Sequence, residues 1–165
     1  MGKPSMLTLP SRICEVSLEG PFSRNQHVER ERALAVDKLV QSSFFNPLGL
    51  ESGPYRLKLA LVDGQLRLNI ATHNRVQLAN HYLSLSPLWR LLKHYVLTCE
   101  NYYETMPRAS RTELETIEID RRALHNDAAE WLRNQLATKV IVDGNTACLL
   151  FTLIYVSLMR NAPVG

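Results

Sequence analysis

The sequence has few of the features that would assign a chemistry outright. Its 165 residues include only three cysteines, Cys14, Cys99 and Cys148, which are far apart. An odd number at such spacing disfavours both a disulfide framework and a zinc ribbon. The sequence also lacks a glycine-rich phosphate loop, a serine nucleophile elbow and a histidine-glutamate metal motif. We therefore expect reduced thiols, no metal and no cofactor.

A long run of basic residues is also missing. The 19 Lys and Arg residues are interspersed with 16 Asp and Glu residues, and the formal net charge is only +3. Because no basic stripe is visible in the sequence, we do not expect a nucleic acid as partner. Near the N-terminus, prolines and Arg12 break up the apolar residues, so no run there is long enough to be the apolar core of a signal peptide. The sequence therefore predicts a cytoplasmic protein.

No apolar run is long enough for a membrane span. The most apolar segment, Thr146–Met159, would extend about 20 Å as a helix, whereas the hydrocarbon layer is about 30 Å thick. We expect no membrane contact and interpret this segment as a buried helix. The same apolar surface also makes it a candidate homo-oligomer interface.

The sequence does contain enough apolar residues to form one hydrophobic core. Hydrophobic residues make up 45% of the chain, which at this length suits a single globular domain. Residues 1–11 carry serine, proline and glycine without periodicity, so we predict a flexible arm there. Residues 12–160 are predicted to form the globular domain.

Four segments alternate between apolar and polar residues, a pattern typical of half-buried strands. These segments are 12–19, 54–62, 66–70 and 76–85. Asp63-Gly64 lies between the second and the third, and this dipeptide tolerates the positive backbone angles of a tight hairpin turn. The sequence therefore predicts an antiparallel meander, and we expect the helix that begins at Pro87 to cover its apolar face.

Other segments carry apolar residues at three- and four-residue spacing, which predicts helices with one buried face. These helices are predicted over 25–41, 87–106, 120–136 and 146–159. Ser110 and Glu113 match a capping box and predict a short additional helix, and Asn145 can cap the last one. Residues 42–53 are predicted as a loop, and 140–142 as a brief extended piece. The predicted fold is α+β, with an antiparallel sheet of about three to four strands packed against several helices.

The order of several motifs resembles uncharacterised protein family 0262, which comprises small bacterial proteins with no assigned activity. The motifs that carry the resemblance are Val28-Glu29-Arg30-Glu31-Arg32-Ala33, Gly53-Pro54-Tyr55-Arg56-Leu57, His81-Tyr82-Leu83-Ser84-Leu85, Cys99-Glu100, Tyr102-Tyr103, Arg121-Arg122, Leu124-His125-Asn126 and Phe151-Thr152-Leu153-Ile154. Together they cover nearly the whole chain. The resemblance implies a bacterial cytoplasmic protein, and it implies no reaction and no catalytic residues.

The first candidate site is the start of the helix that begins at Pro87. Arg90, Lys93 and His94 follow within two turns, and the free amides of a helix start favour negative charge. Ordinary surface variation would explain the same residues. The functional interpretation is a basic corner that binds a phosphate or an acidic partner.

The second candidate site is the group Arg121, Arg122, His125 and Asn126. Arg121 and His125 are four positions apart, as are Arg122 and Asn126, so each pair shares one face of a helix and could hold a phosphate or a carboxylate. The alternative is a solvated helix turn with acidic neighbours. Whether the two candidate sites converge in space cannot be read from the sequence.

Two function classes follow from these candidates. The favoured hypothesis is a non-catalytic binding or interaction module whose basic corner engages an acidic small molecule or protein. The alternative is an enzyme that acts on a phosphate-containing or nucleotide substrate with His125 and the two arginines. An enzyme requires these side chains to converge on a concave pocket, whereas an interaction module would present them on a flat face. Cys99 lies on an apolar stripe, so we interpret it as a buried residue rather than a nucleophile.

Overall fold

The fold places a four-stranded sheet beside a set of helices. The computed structural model describes residues 10–160, and residues 1–9 of the predicted arm lie outside this range. In chain order the elements are β1 (Ile13–Leu18), α1 (Gln26–Gln41), β2 (Phe45–Pro47), β3 (Tyr55–Val62), β4 (Gln65–Thr72), β5 (Gln77–Ser84), a 3-10 turn (Ser86–Leu88), α2 (Trp89–Thr105), α3 (Arg111–Leu136), β6 (Val140–Val142) and α4 (Gly144–Arg160). The predicted α+β class is confirmed.

The main sheet has the strand order β1-β3-β4-β5. Strands β3, β4 and β5 form the predicted antiparallel meander. Asp63 and Gly64 adopt φ angles of 52° and 76° in the first hairpin, as expected where both central residues of a two-residue turn need positive φ. Strand β1 pairs with β3 in parallel, so the four-stranded sheet is mixed and not antiparallel throughout as predicted. A parallel pair needs a long crossover connection, and α1 lies in it.

Three local predictions need correction. Residues 45–47, predicted as loop, form β2, which pairs with β6 in a separate two-stranded sheet. The two helices predicted on either side of residue 120 are one continuous helix, α3, and Ser110 caps it through a bond from the amide of Glu113. Asp143 rather than Asn145 caps α4, because its carboxylate accepts from the amide of Thr146 at 2.8 Å.

Helix α4 occupies the centre of the structure. It packs against α1, α3 and β3, while α1 packs against β1. The helix predicted to cover the sheet, now α2, packs mainly against α3 instead. Leucines on one face of β3 and β4 join the core with the buried side of α4. Because α4 packs against neighbours on several sides, it needs apolar residues nearly all round the helix. Its apolar surface therefore packs against other segments of the same chain.

Candidate functional site

A concave cleft opens where α1, α3 and α4 meet. Its volume is about 310 Å³, within the range of small-ligand sites. Eleven residues line it: Glu31, Leu34, Ala35, Lys38, Tyr95, Arg121, Arg122, His125, Asn126, Leu149 and Thr152. The walls therefore combine cations, one partly buried acid, amide and hydroxyl groups, and aliphatic side chains.

The second predicted group lies in this cleft in its entirety. Arg121, Arg122, His125 and Asn126 all line it, because they occupy consecutive turns of α3 on the side that faces α1 and α4. Convergence on a concave surface, the condition stated above for the enzyme alternative, is therefore met by this group, and the flat face expected of an interaction module is not what these four residues line.

Arg121 is held firmly by groups of the protein itself. Its Nε and Nη2 atoms each donate to the Glu118 carboxylate at 2.8 Å, and Nη1 donates to the hydroxyl of Tyr95 at 3.2 Å. The Glu118 carboxylate raises the pKa of Arg121 further above its ordinary value, and Arg121 in turn lowers the pKa of Glu118. Both edges of the guanidinium already donate hydrogen bonds within the protein. Arg121 therefore forms part of the cleft wall and has few N–H groups left for a ligand.

Arg122 and Lys38 present the accessible positive charge. The side chain of Arg122 is 75% exposed and only its Nε contacts Glu118, at 3.3 Å. Lys38 lies in the last turn of α1 and is exposed. Within residues 10–160 it forms no ion pair. Two cations from different helices thus face one cleft, and both have N–H groups that can donate hydrogen bonds to a ligand.

His125 forms the inner wall of the cleft. Its Nε2 lies 2.9 Å from the Thr152 hydroxyl, and its ring meets those of Tyr95 and Phe151 edge to face. Burial, assisted by the nearby Arg121 charge, lowers the pKa of His125 to about 4. His125 is therefore neutral at physiological pH and contributes a hydrogen bond rather than a charge.

Glu31 is a site residue that the sequence reasoning missed. It lies in the charged run 29–32 of α1, which neither candidate site included, yet its side chain is only 19% exposed. Its Oε1 accepts from the Tyr103 hydroxyl at 3.1 Å and lies 3.9 Å from Arg121 Nη1, and burial raises its pKa. A signal was present, since Glu31 and Lys38 are seven positions apart and share a helix face.

The first predicted group lies elsewhere. Arg90, Lys93 and His94 are exposed on α2 and do not line the cleft. Only Tyr95 of α2 reaches it, and each of the three lies at least about 100° round the helix from Tyr95. The two predicted groups therefore do not form one combined site in this cleft.

Two further features are absent from the residues that the structure describes. Between Pro10 and Arg160, no three His, Cys, Asp or Glu side chains cluster as a metal site requires. Nor does this part of the chain include a helix with the length and hydropathy to cross a bilayer.

Comparison with known proteins decides the family. A family model described as "Uncharacterised protein family (UPF0262)" matches residues 10–160. The chain belongs to the UPF0262 family. A UPF0262 protein of Rhizobium leguminosarum bv. trifolii is 40% identical over 151 residues, which cover 91% of this chain and 96% of the relative. A UPF0262 protein of Agrobacterium fabrum shows the same identity and coverage.

A further genus carries the family too. A UPF0262 protein of Chelativorans sp. is 40% identical over 148 residues, covering 88% of this chain and 92% of the relative. No solved structure matches the chain. The resemblance stated from the motifs is thus confirmed, and UPF0262 membership assigns a bacterial family without a known function.

Proposed function

We propose that this UPF0262 protein is a non-catalytic binding protein of the bacterial cytoplasm, and that its cleft takes a small acidic ligand. The observation that carries the proposal is the convergence of Lys38 and Arg122, from two different helices, on one concave surface. Arg122 keeps free donors, and Lys38 has no ion pair within residues 10–160. A phosphate or carboxylate between them would receive charge-assisted hydrogen bonds from both.

The charge balance of the cleft supports an anion. Three cations, Lys38, Arg121 and Arg122, are opposed by Glu31 and Glu118. Burial raises the pKa of Glu31, which weakens its opposition to an incoming negative group. The cleft is therefore positive by at least one charge at neutral pH.

The remaining lining suggests how the rest of the ligand is accommodated. Leu34 and Leu149 contribute apolar surface, and Asn126 can offer its amide N–H groups because its Oδ1 accepts weakly from Cys148 at 3.9 Å. Such a mixture suits a compact acidic metabolite with an apolar or ring portion. An acidic segment of a partner protein is the alternative occupant, and the concave shape favours the small molecule.

An enzyme acting on a phosphate-containing substrate is the second candidate function, because His125 lines the same cleft as Arg122. A neutral imidazole can accept a proton. Against catalysis, His125 is already bonded to Thr152 and enclosed by two aromatic rings. Non-catalytic binding therefore remains our preferred proposal.

The test is a thermal-shift screen of inorganic phosphate, nucleotides and dicarboxylates, followed by calorimetry. A ligand at about 100 times its Kd stabilises the folded state by about 2.7 kcal/mol, which raises Tm by about 5–10 °C for a chain of this size. The wild type should show this shift, and a Lys38→Ala/Arg122→Ala variant should lose it. An Arg24→Ala/Arg108→Ala variant removes equal charge at exposed positions outside the cleft and should retain it.

Two results would change the conclusion. If no compound stabilises the wild type, or if the cleft variant and the charge-matched control respond equally, small-anion binding in this cleft is refuted. If a bound phosphate ester is hydrolysed, and His125→Asn abolishes turnover while preserving binding, the enzyme alternative replaces our proposal.

A further inference from the structure

The face of the main sheet that points away from the core collects basic residues from separate strands. Register places Arg56 opposite Ala71, Lys58 opposite Asn69 and Ala60 opposite Arg67. Alternate residues of a strand share a face, so the three basic residues and their partners point to the same side. The apolar neighbours Leu57 and Leu59 point to the core instead. Basic residues that are interspersed in the sequence thus become neighbours in space.

These residues form a line along the two central strands, which we call the basic stripe: Arg75, Arg56, Lys58 and Arg67. Arg75 lies in the β4-β5 turn and shares a groove of about 430 Å³ with Arg56 and Lys58. Successive members on the strands are two positions apart, or about 7 Å. The stripe is therefore continuous over most of the length of the sheet.

Hydrogen-bonding and aromatic side chains flank the stripe on the side of β5. Asn69 donates to Gln77 at 2.7 Å and to Asn80 at 2.8 Å. Tyr82 lies opposite Arg67 and is 48% exposed. Amide groups can pair with the edges of nucleobases, and an exposed tyrosine ring offers a stacking surface.

Two acidic residues on the other side of the stripe modulate its charge. Glu15 pairs with Arg56, and Glu19 pairs with Arg67 at 2.6 Å. Both carboxylates are about half exposed, at 54% and 44%, and such pairs are weak enough for phosphates to compete. Lys58 and Arg75 form no ion pair within the described residues, so the face keeps a net positive charge.

We propose that this sheet face binds single-stranded nucleic acid, with phosphates along the basic stripe and bases directed toward Asn80 and Tyr82. A four-stranded sheet is wider than the duplex major groove of about 12 Å, whereas unpaired bases can reach side chains on its surface. Charge alone would also suit an acidic protein. The amides and the exposed tyrosine beside the cations favour the nucleic acid. This site is independent of the cleft between α1, α3 and α4.

The test is fluorescence anisotropy with a labelled, mixed-sequence single-stranded 12-mer. If four cations each meet a phosphate, log K falls against log salt with a slope of about −2.8, so binding weakens about fiftyfold between 50 and 200 mM salt. Lys58→Ala/Arg75→Ala should make this slope shallower by about 1.4. Tyr82→Ala should weaken binding about fivefold or more through lost stacking.

The Arg24→Ala/Arg108→Ala variant is the charge-matched control, and Tm measurements confirm that each variant is folded. Retained binding in this control, together with losses in the stripe and Tyr82 variants, supports the proposal. Absence of binding at 50 mM salt overturns it, as do equal losses in control and stripe variants or full binding by Tyr82→Ala. Competition by a glutamate 12-mer as strong as that by the unlabelled oligonucleotide also overturns it and indicates an acidic protein partner.

Discussion

Replacement of Glu29 by glutamine would remove the acid that fastens the end of α4 to the start of α1. Arg160 donates from Nε and Nη2 to the two Glu29 oxygens at 3.0 and 2.7 Å. The same carboxylate accepts from the amide of Ser23 and from Nε of Arg32. The Phe22 ring lies 4.8 Å from the Arg160 guanidinium. The Glu29 carboxylate therefore accepts hydrogen bonds from three parts of the chain.

The size of the effect follows from the geometry. The hydrogen bonds from Arg160 lower the pKa of Glu29 from 4.5 to about 2, which corresponds to about 3 kcal/mol of folding free energy at neutral pH. Removal of one partner from a buried pair costs a similar amount, about 3–5 kcal/mol. The Arg160 side chain is only 2% exposed, so Glu29→Gln leaves a buried charge uncompensated. We expect a loss of about 3 kcal/mol and a fall in Tm of about 6–12 °C.

The loss should depend on pH in a defined direction. A carboxyl with a lowered folded-state pKa contributes fully above its unfolded value, and the contribution disappears as pH falls through the folded value. The difference between wild type and Glu29→Gln should therefore be constant at neutral pH and shrink from about pH 4.5 toward pH 2. Urea denaturation at pH 7 and pH 3.5 measures both free energies of unfolding.

Glu115→Gln provides the matched control. Glu115 pairs with Arg111 at 3.3 Å, but the two side chains are 63% and 93% exposed, so its loss should be below about 0.5 kcal/mol. If Glu29→Gln costs no more than Glu115→Gln, or if its cost is unchanged at low pH, the ion pair does not contribute as the structure indicates.

Three further outcomes are expected. Cys99 is 1% exposed and burial raises its pKa to about 11, so thiol reagents at pH 8 should label it only after unfolding, as mass spectrometry can show. His125, with a pKa lowered to about 4, binds its proton more readily in the unfolded chain, so wild-type Tm should fall from about pH 6.5 toward pH 4, and His125→Asn should reduce this dependence. Glu118→Gln, which weakens the hold on Arg121 and Arg122, should strengthen inorganic phosphate binding several-fold by calorimetry if the cleft binds anions.

Local patterns were sufficient to predict much of the fold. The alternation in β3 and β4, the Asp63-Gly64 turn and the cap at Ser110 depend on residues within a few positions of one another. The same holds for the prediction that Arg121 and His125 share a helix face, since helix geometry alone decides it. Such features are visible in the sequence because the interactions that specify them are short-range.

The remaining features of the fold and of the candidate sites depend on how segments that are distant in the sequence pack together. The pairing of β2 with β6 joins residues almost a hundred positions apart, and neither strand is long enough to show a periodicity of its own. Lys38 and Glu31 line one cleft with Arg122 and Arg121 because α1 and α3 both pack on α4. The basic stripe likewise exists only through strand register. A sequence pattern shows which side of an element is apolar, whereas tertiary packing determines which polar sides face one another.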